Sequence, residues 1–384
     1  MSTPTFIGII GCGNISDAYL KGAAASKLVK VKACADLRLE AAQAKATMYG
    51  IEAKSVEALL ADPEIEIVIN LTVPAAHASV SLQILNAGKH VYLEKPLSAQ
   101  LADARAVIAS ANAKGLRVGC APDTFFGASH QAARHAIDSG RIGQPVGGTV
   151  AVLSHGMEHW HPNPGFFFKA GGGPILDLGP YYITQLVNML GPVARVAGVT
   201  TIGNATRTIS SEPLKGQSID VEVPTTVNGL LQFASGANLT LSASWDVWRH
   251  QHAPIEIYGT EGSMLVPDPN FFGGTPMISE RDAPWQPLDI SAHPFGVNNR
   301  TKGSGEAVAD YRIVGVLDMA SAIQQGRAHR ASGALALHVL EVLEAFERSS
   351  NEGRHIVIES RCERPEAVPL GSGEEVFEAA RAAA

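Results

Sequence analysis

The sequence predicts an α/β protein whose N-terminal third is a doubly wound parallel sheet, and three observations carry that expectation. Apolar runs of strand length alternate with helix-length segments as far as Cys120. The first run ends in a glycine turn that opens a helix. Beyond residue 122 the alternation gives way to successive strand candidates with turn signals, which predicts a second domain of different build. At 384 residues the chain exceeds one average domain of about 100 to 200 residues, and we expect domains over 1–122 and 123–384.

Composition narrows the function classes. Hydrophobic residues make up 46% and charged residues 17%, a globular balance. A formal charge of −7 with no Lys/Arg-rich run argues against nucleic acid as a partner. No apolar run approaches the ~20 residues that span a bilayer, and MSTPTFIGII enters a strand pattern without a basic leader, so we expect a cytoplasmic protein with no membrane association. The cysteines at 12, 34, 120 and 362 have neither metal-ligand nor redox-motif spacing and read as buried free thiols. Glu374 to Ala384 reads as a frayed helix.

Thr5 to Ile10 is the first strand, and Gly11-Cys-Gly-Asn-Ile-Ser16 leads into a helix reaching Ala25. Gly11 allows a tight turn, Gly13 lets a pyrophosphate approach the backbone, and the helix start offers N–H groups to the anion. Ser16 stands where the third glycine of such a turn belongs; alone, the pattern is equally a plain strand-to-helix turn. Val29 to Ala35 is the second strand and delivers Asp36, which suits a ribose 2′-hydroxyl and disfavours a 2′-phosphate. That favours NAD, while Arg38 leaves NADP possible. Asp36 also reads as a helix cap before Leu39 to Met48. Strands over Ile65–Leu71, Lys89–Leu93 and Leu116–Cys120 follow, with helices over Ala75–Ala87 and Ser98–Lys114 between them. Ligands of such sheets lie beyond the carboxyl ends of the strands. Asn70 to His77, Glu94-Lys95-Pro96 and Pro122-Asp123 occupy those ends. Lys95, held extended by Pro96, reads as a fixed cation aimed at the ligand or as half of a solvated ion pair. His77 reads as a ligand group or a histidine on a helix face.

A helix over Arg134–Ile142 opens the second half, followed by strands over Pro145–Leu153, Val193–Ile202, Ile219–Phe233, Ala237–Trp245 and Ile255–Tyr258 and a helix over Leu335–Phe346. His155 to Phe168 carries three histidines, a glutamate and a run of aromatic residues; its spacing matches no zinc pattern, and we expect no metal. Trp160 can cover an apolar ligand face while His159 or His161 bonds its polar groups, or the rings close the domain core. In Gly171-Gly-Gly-Pro-Ile-Leu-Asp-Leu-Gly-Pro-Tyr-Tyr, a helix over 177–190 puts Asp177 and Tyr181 on one face, i,i+4. An acid and a phenol so placed can act on one hydroxyl group.

These segments resemble the Gfo/Idh/MocA family, which includes glucose-fructose oxidoreductase and inositol dehydrogenase. The resemblance rests on Gly11 to Ser16, on Val73-Pro74 with His77, on Gly88-Lys-His-Val-Tyr-Leu-Glu-Lys-Pro96 and on Gly171 to Gly179, and it covers most of the chain. It implies an N-terminal Rossmann domain and a C-terminal α/β domain with an open, mainly antiparallel sheet. It also implies NAD(P)-dependent hydride transfer on a sugar, cyclitol or related polyol, and assembly as a homodimer or homotetramer through the C-terminal sheet. The family lysine matching Lys95 lies beside nicotinamide and substrate, and the aspartate matching Asp177 orients the substrate. Many members carry histidine where this chain has Tyr181; glucose-fructose oxidoreductase and the dihydrodiol dehydrogenases place the acid/base tyrosine there. Lys95, Asp177 and Tyr181 are therefore the expected catalytic residues. Gly11, Gly13, Asn14, Ile15, Asp36, Arg38, Thr72, Pro74, His77, Glu94 and Lys95 are expected at the cofactor, and Asp123, His159, Trp160 and His161 at the substrate. Two other activities share these motifs: a redox-neutral lyase or glycosidase working through transient oxidation, and a non-catalytic dinucleotide or sugar sensor.

Overall fold

A computed structural model describes residues 3–302 and 305–379. The chain forms two compact units, one of Met1–Ala128, Ser291–Leu337 and Pro365–Ala384, the other of Ser129–Ile290 and His338–Arg364.

In the first unit, β1 (Thr5–Ile10), β2 (Val29–Ala35), β3 (Glu52–Ala53), β4 (Ile67–Asn70), β5 (His90–Leu93) and β6 (Val118–Cys120) form a parallel sheet in the order β3-β2-β1-β4-β5-β6. Helices α1 (Ser16–Ala25), α2 (Leu39–Tyr49), α3 (Val56–Ala61), α4 (His77–Asn86) and α5 (Leu101–Ala113) connect the strands. The central strands are buried almost throughout, so they read as continuous apolar runs. This is the expected Rossmann arrangement, with the short α3, capped by Ser55, added to it.

The expected continuous domains do not describe how the chain returns to this unit. The helix Val314–Gln325 lies on β6, where a Cβ on Gly119 would sit 3.0 Å from Met319 Sδ. A parallel sheet needs both faces covered, and here part of the cover comes from far along the sequence. The expected C-terminal helix is Glu375–Ala379; residues 380–384 lie outside the described residues.

The second unit opens with α6 (Ala128–Asp138), displaced from the expected Arg134–Ile142. Its first turns carry buried polar side chains that hid its inner face: Ser129 donates to the Gly274 carbonyl, His130 bonds the Phe271 carbonyl and Arg134 donates to Asn188. There follow β7 (Pro145–Leu153), α7 (Pro174–Asp177), α8 (Gly179–Leu190), β8 (Val193–Thr201), β9 (Thr206–Thr208), β10 (Ser218–Asp220), β11 (Thr226–Phe233), β12 (Asn238–Ser244), β13 (Ile255–Gly259), β14 (Gly262–Val266), β15 (Met277–Glu280) and β16 (Gln286–Pro287). The expected strand over 219–233 is two, β10 and β11, because Pro224 cannot donate to a ladder.

The main sheet runs β16-β15-β14-β13-β7-β12-β11-β8 and ends on Ile356–Val357. Only β7 and β12 pair in parallel; the other neighbours are antiparallel. One face packs on helices: Phe346 closes over Gly198 and Gly229, where a Cβ would collide with its backbone or ring. The other face is open and presents Val199, Leu230 and Val357 beside polar neighbours. No helix among the described residues is long and apolar enough to cross a membrane.

Candidate functional site

The first unit brings its expected residues to the carboxyl ends of β1, β2, β4 and β5. Gly11 has φ +103°, and a Cβ there would sit 2.6 Å from the Leu71 carbonyl, so only glycine passes so close to β4. Gly13 is exposed, with nothing within 4 Å of where its Cβ would be. Asn14 and Ile15 complete the turn, and no side chain caps α1. Ser16 is buried and its hydroxyl donates to the Gly13 carbonyl at 2.6 Å, so the serine ties helix to turn. Asp17, in the first helical turn, is engaged by Lys45 at 2.5 Å and by the Tyr49 hydroxyl at 2.9 Å. Lys45 above all holds the Asp17 carboxyl below its ordinary range, and the pairing offsets a negative charge near an anion site.

Asp36 accepts the Cys12 N–H at 2.8 Å on one oxygen and the Arg38 N–H at 2.9 Å on the other. It therefore braces the glycine turn rather than capping α2, whose N-cap residue is Arg38, and the Arg38 side chain is exposed. An open glycine and an uncapped helix start leave N–H donors that fit a pyrophosphate, and the Asp36 carboxylate beside the turn is an acceptor of the kind that fits a ribose hydroxyl.

Beyond β4, the buried Asn70 organises the segment from Thr72 to Ser81. Its carbonyl oxygen accepts from the Thr72 N–H and hydroxyl, and its amide donates to the His77 carbonyl and the Ser81 hydroxyl. Pro74 starts a single exposed turn. His77 is buried, with Nδ1 2.6 Å from the Pro96 carbonyl and Nε2 3.0 Å from the Thr72 carbonyl. Burial lowers its pKa, and the two carbonyls oppose that. Both ring nitrogens lie against carbonyl oxygens, of which a neutral ring donates to one, and His77 thereby braces the strand ends.

Glu94 is likewise internal. Tyr19 donates its hydroxyl to one carboxylate oxygen at 2.9 Å, and the Lys95 N–H donates to the other at 3.1 Å. Burial above all pushes the Tyr19 phenol far up, so it stays a donor. The expected cofactor residue Glu94 thus orients the peptide that carries Lys95, which is half-buried and joined to Pro96 by a cis bond. Asp123 departs furthest from expectation. It is fully buried, and one oxygen accepts the N–H groups of Ile313 and Gly315, both at 3.1 Å. Burial pushes its pKa up to about 6, opposed by those amides and by Arg312. Its carboxylate serves the amides at the start of Val314–Gln325.

In the second unit, Gly171 and Gly173 have φ near +90°, and a Cβ on Gly172 would lie 2.2 Å from the Phe167 carbonyl. The Gly173 N–H donates to that same carbonyl, folding the glycines onto the aromatic loop. The single helix expected over 177–190 is two, because Pro180 has no N–H to continue the ladder. Asp177 ends α7 and is half-buried; Tyr181 lies in the first turn of α8 and is buried. Leu178 keeps right-handed helical angles, and the Tyr181 N–H donates to its carbonyl. Tyr182 is held elsewhere: burial, with the adjacent Asp268 and its hydrogen bond, raises its pKa far above the ordinary value.

His159 and Trp160 are exposed and His161 half-buried. His155 stacks on Trp248 with ring centroids 3.3 Å apart, and His161 meets Phe166 and Phe167 edge-on. Among the described residues no group of three or more His, Cys, Asp or Glu side chains is placed to hold a metal. The core-closing role of the loop is present, since Phe168 and Trp245 are core with Met157, Ile209, Ile219 and Val221, while Trp160 and Phe166 face solvent. Sequence reasoning missed Tyr19 and Arg207, and it placed Asn70 at a strand end without its bracing role. Arg207 was legible in part, since it shares strand parity with the buried Ile209.

Comparison with known proteins gives these parts a context. Residues 6–121 match the oxidoreductase family with NAD-binding Rossmann fold, and residues 130–265 match the GFO/IDH/MocA C-terminal domain. The chain belongs to the Gfo/Idh/MocA family of oxidoreductases. It is 30% identical over 266 residues to 1,5-anhydro-D-fructose reductase of Ensifer adhaerens, covering 67% of this chain and 74% of the reductase. It is 27% identical to inositol 2-dehydrogenase of Rhizobium meliloti (strain 1021), covering 91% of this chain and 98% of that enzyme. The fold is that of levoglucosan dehydrogenase in complex with NADH, with a TM-score of 0.79 at 20% identity over 93% of this chain and 100% of the other. This Gfo/Idh/MocA protein is thus an oxidoreductase whose first unit is an NAD-binding Rossmann domain.

Proposed function

We propose that the enzyme transfers a hydride between the carbinol carbon of a sugar, cyclitol or related polyol and NAD, with Tyr181 as acid/base. The observation that carries this reading is the placement of Tyr181 in the first turn of α8, beside the end of α7 where Asp177 stands. The relatives named for anhydrofructose and inositol support the substrate class. NAD, when bound, accepts or returns the hydride; the chain's own residues handle the proton and the orientation. Gly11 to Ile15 receive the pyrophosphate and Asp36 the ribose, whose 2′-hydroxyl a carboxylate prefers over a 2′-phosphate. A phenol with an ordinary pKa of about 10 is a poor base at neutral pH. A lysine ammonium offsets alkoxide charge on the substrate, and that is the role proposed for Lys95. Asp177 orients the substrate hydroxyl, and His159, Trp160 and His161 face the remaining hydroxyls and the apolar ring surface.

Tyr181→Phe is expected to lower kcat by roughly 100-fold or more while leaving the NADH dissociation constant within about 2-fold. Unchanged turnover in a polyol screen followed by nicotinamide absorbance would remove Tyr181 from the mechanism. The same screen with NAD and NADP reads cofactor choice and net redox change together. The open sheet face, with Val199, Leu230 and Val357, supports a homo-oligomer formed through that sheet. Leu230→Glu should lower the mass measured by sedimentation equilibrium; an unchanged mass would place the interface elsewhere. Free thiols at Cys12, Cys34, Cys120 and Cys362 support a cytoplasmic location.

A further inference from the structure

The loop from His155 to His161 is tied at several points to one short stretch of chain on β9 and just beyond it. Arg207 is buried, and its guanidinium donates to the Glu158 carboxylate at 2.6 Å, the Trp245 carbonyl at 2.9 Å, the His155 carbonyl at 3.4 Å and the Asp246 carboxylate. The Phe168 ring lies 5.4 Å from its central carbon. The other Asp246 oxygen accepts from the Thr225 and Thr226 hydroxyls, which anchors the cluster to the start of β11. Beyond β9 the ties continue: the Ser210 and Ser211 N–H groups donate to the Glu158 carbonyl at 2.9 and 3.1 Å, and the Ser211 hydroxyl donates to the His161 carbonyl at 2.6 Å. Positions 155, 158 and 161 are held from below, and the side chains of His159 and Trp160 emerge between them, Trp160 58% exposed.

Stability alone is a weak reason for this cluster. A buried guanidinium with two carboxylates is commonly no more stable than apolar side chains of similar volume. Here Glu158 Oε2 and Arg207 Nε are also buried without a partner among the described residues. What a planar five-donor fork supplies, and apolar packing does not, is simultaneous placement of two carbonyls and two carboxylates.

We propose that Arg207 is a positioning residue that sets substrate specificity: it touches no substrate, and it holds His159 and Trp160 where they read a polyol. The proposal rests on the loop facing substrate, as in the function proposed above. Lysine at 207 keeps the charge and can reach Glu158, but it cannot hold every partner of the fork. Arg207→Lys should therefore raise KM for the preferred polyol by about 10-fold and compress the spread of kcat/KM across a panel of polyols. Its kcat should stay within about 3-fold and its NADH dissociation constant within about 2-fold. Ser211→Ala, a milder change that also serves if the lysine variant does not fold, should raise KM by about 3-fold in the same substrate order. A folded variant with lowered Tm but unchanged KM and unchanged ranking of polyols overturns the proposal and leaves Arg207 purely structural. His159→Ala and Trp160→Ala separate the two layers. If neither changes KM, the loop does not face substrate and that part of the function falls with the proposal. If both raise KM while Arg207→Lys and Ser211→Ala do not, only the positioning claim falls.

Discussion

The dinucleotide turn of the first unit and the aromatic loop of the second are held by different means. In the turn, the constraints act mainly through backbone: Ser16 bonds the Gly13 carbonyl, Asp36 accepts the Cys12 N–H, and Gly11 is set by its own φ and by the backbone of the neighbouring strand end. In the loop, His155, Glu158 and His161 are held by Arg207, Ser210 and Ser211, some fifty positions away. Constraint by conformation leaves a readable pattern of glycines and small residues. Constraint by a distant side chain leaves one isolated charge.

The largest effect that sharpens this contrast belongs to the two glycines of the turn. Gly11→Ala forces a Cβ into the Leu71 carbonyl at a positive φ and should destabilise the first unit by about 3 kcal/mol, read by chemical denaturation. Gly13→Ala, with open space at its Cβ, should leave stability within about 0.5 kcal/mol and weaken NADH binding in a fluorescence titration. Equal losses of stability would mean that the turn is held by something other than conformation.

Asp123 gives an intermediate effect and shows that the first unit also uses remote partners. Its carboxyl is raised to about 6 in the fold against an ordinary value near 3.9, so the folded state binds the extra proton between those values. The stability it contributes is therefore greatest below about pH 4 and falls as pH rises to about 6, by roughly 2 kcal/mol. Asp123→Asn should gain on the parent by that amount across the window; parallel pH–stability curves would show that Asp123 does not titrate there.

The smallest effect concerns Tyr182. Tyr182→Phe removes a hydrogen bond to Asp268 and should cost about 1 kcal/mol while turnover stays within about 2-fold. A large loss of turnover would transfer to Tyr182 the role proposed for Tyr181.

Local rules account for everything that the sequence alone determined. The parallel sheet was legible because strands buried on both faces appear as unbroken apolar runs, and the glycine turn because Gly11 has a conformation and a clearance that a side chain disturbs. The Glu94-Lys95-Pro96 and Gly171 to Gly179 segments identified the family before any geometry was known. Tertiary structure alone decided which groups hold two carboxylates and a histidine of the expected site. Glu94, His77 and Asp123 look identical as letters to ligand-binding groups, yet each is buried against Tyr19, a pair of carbonyls or a helix start. A polar atom taken out of water must find a partner, and that partner can come from any point along the chain. The return of Val314–Gln325 onto β6 has the same origin, since a sheet's need for cover does not specify which segment supplies it.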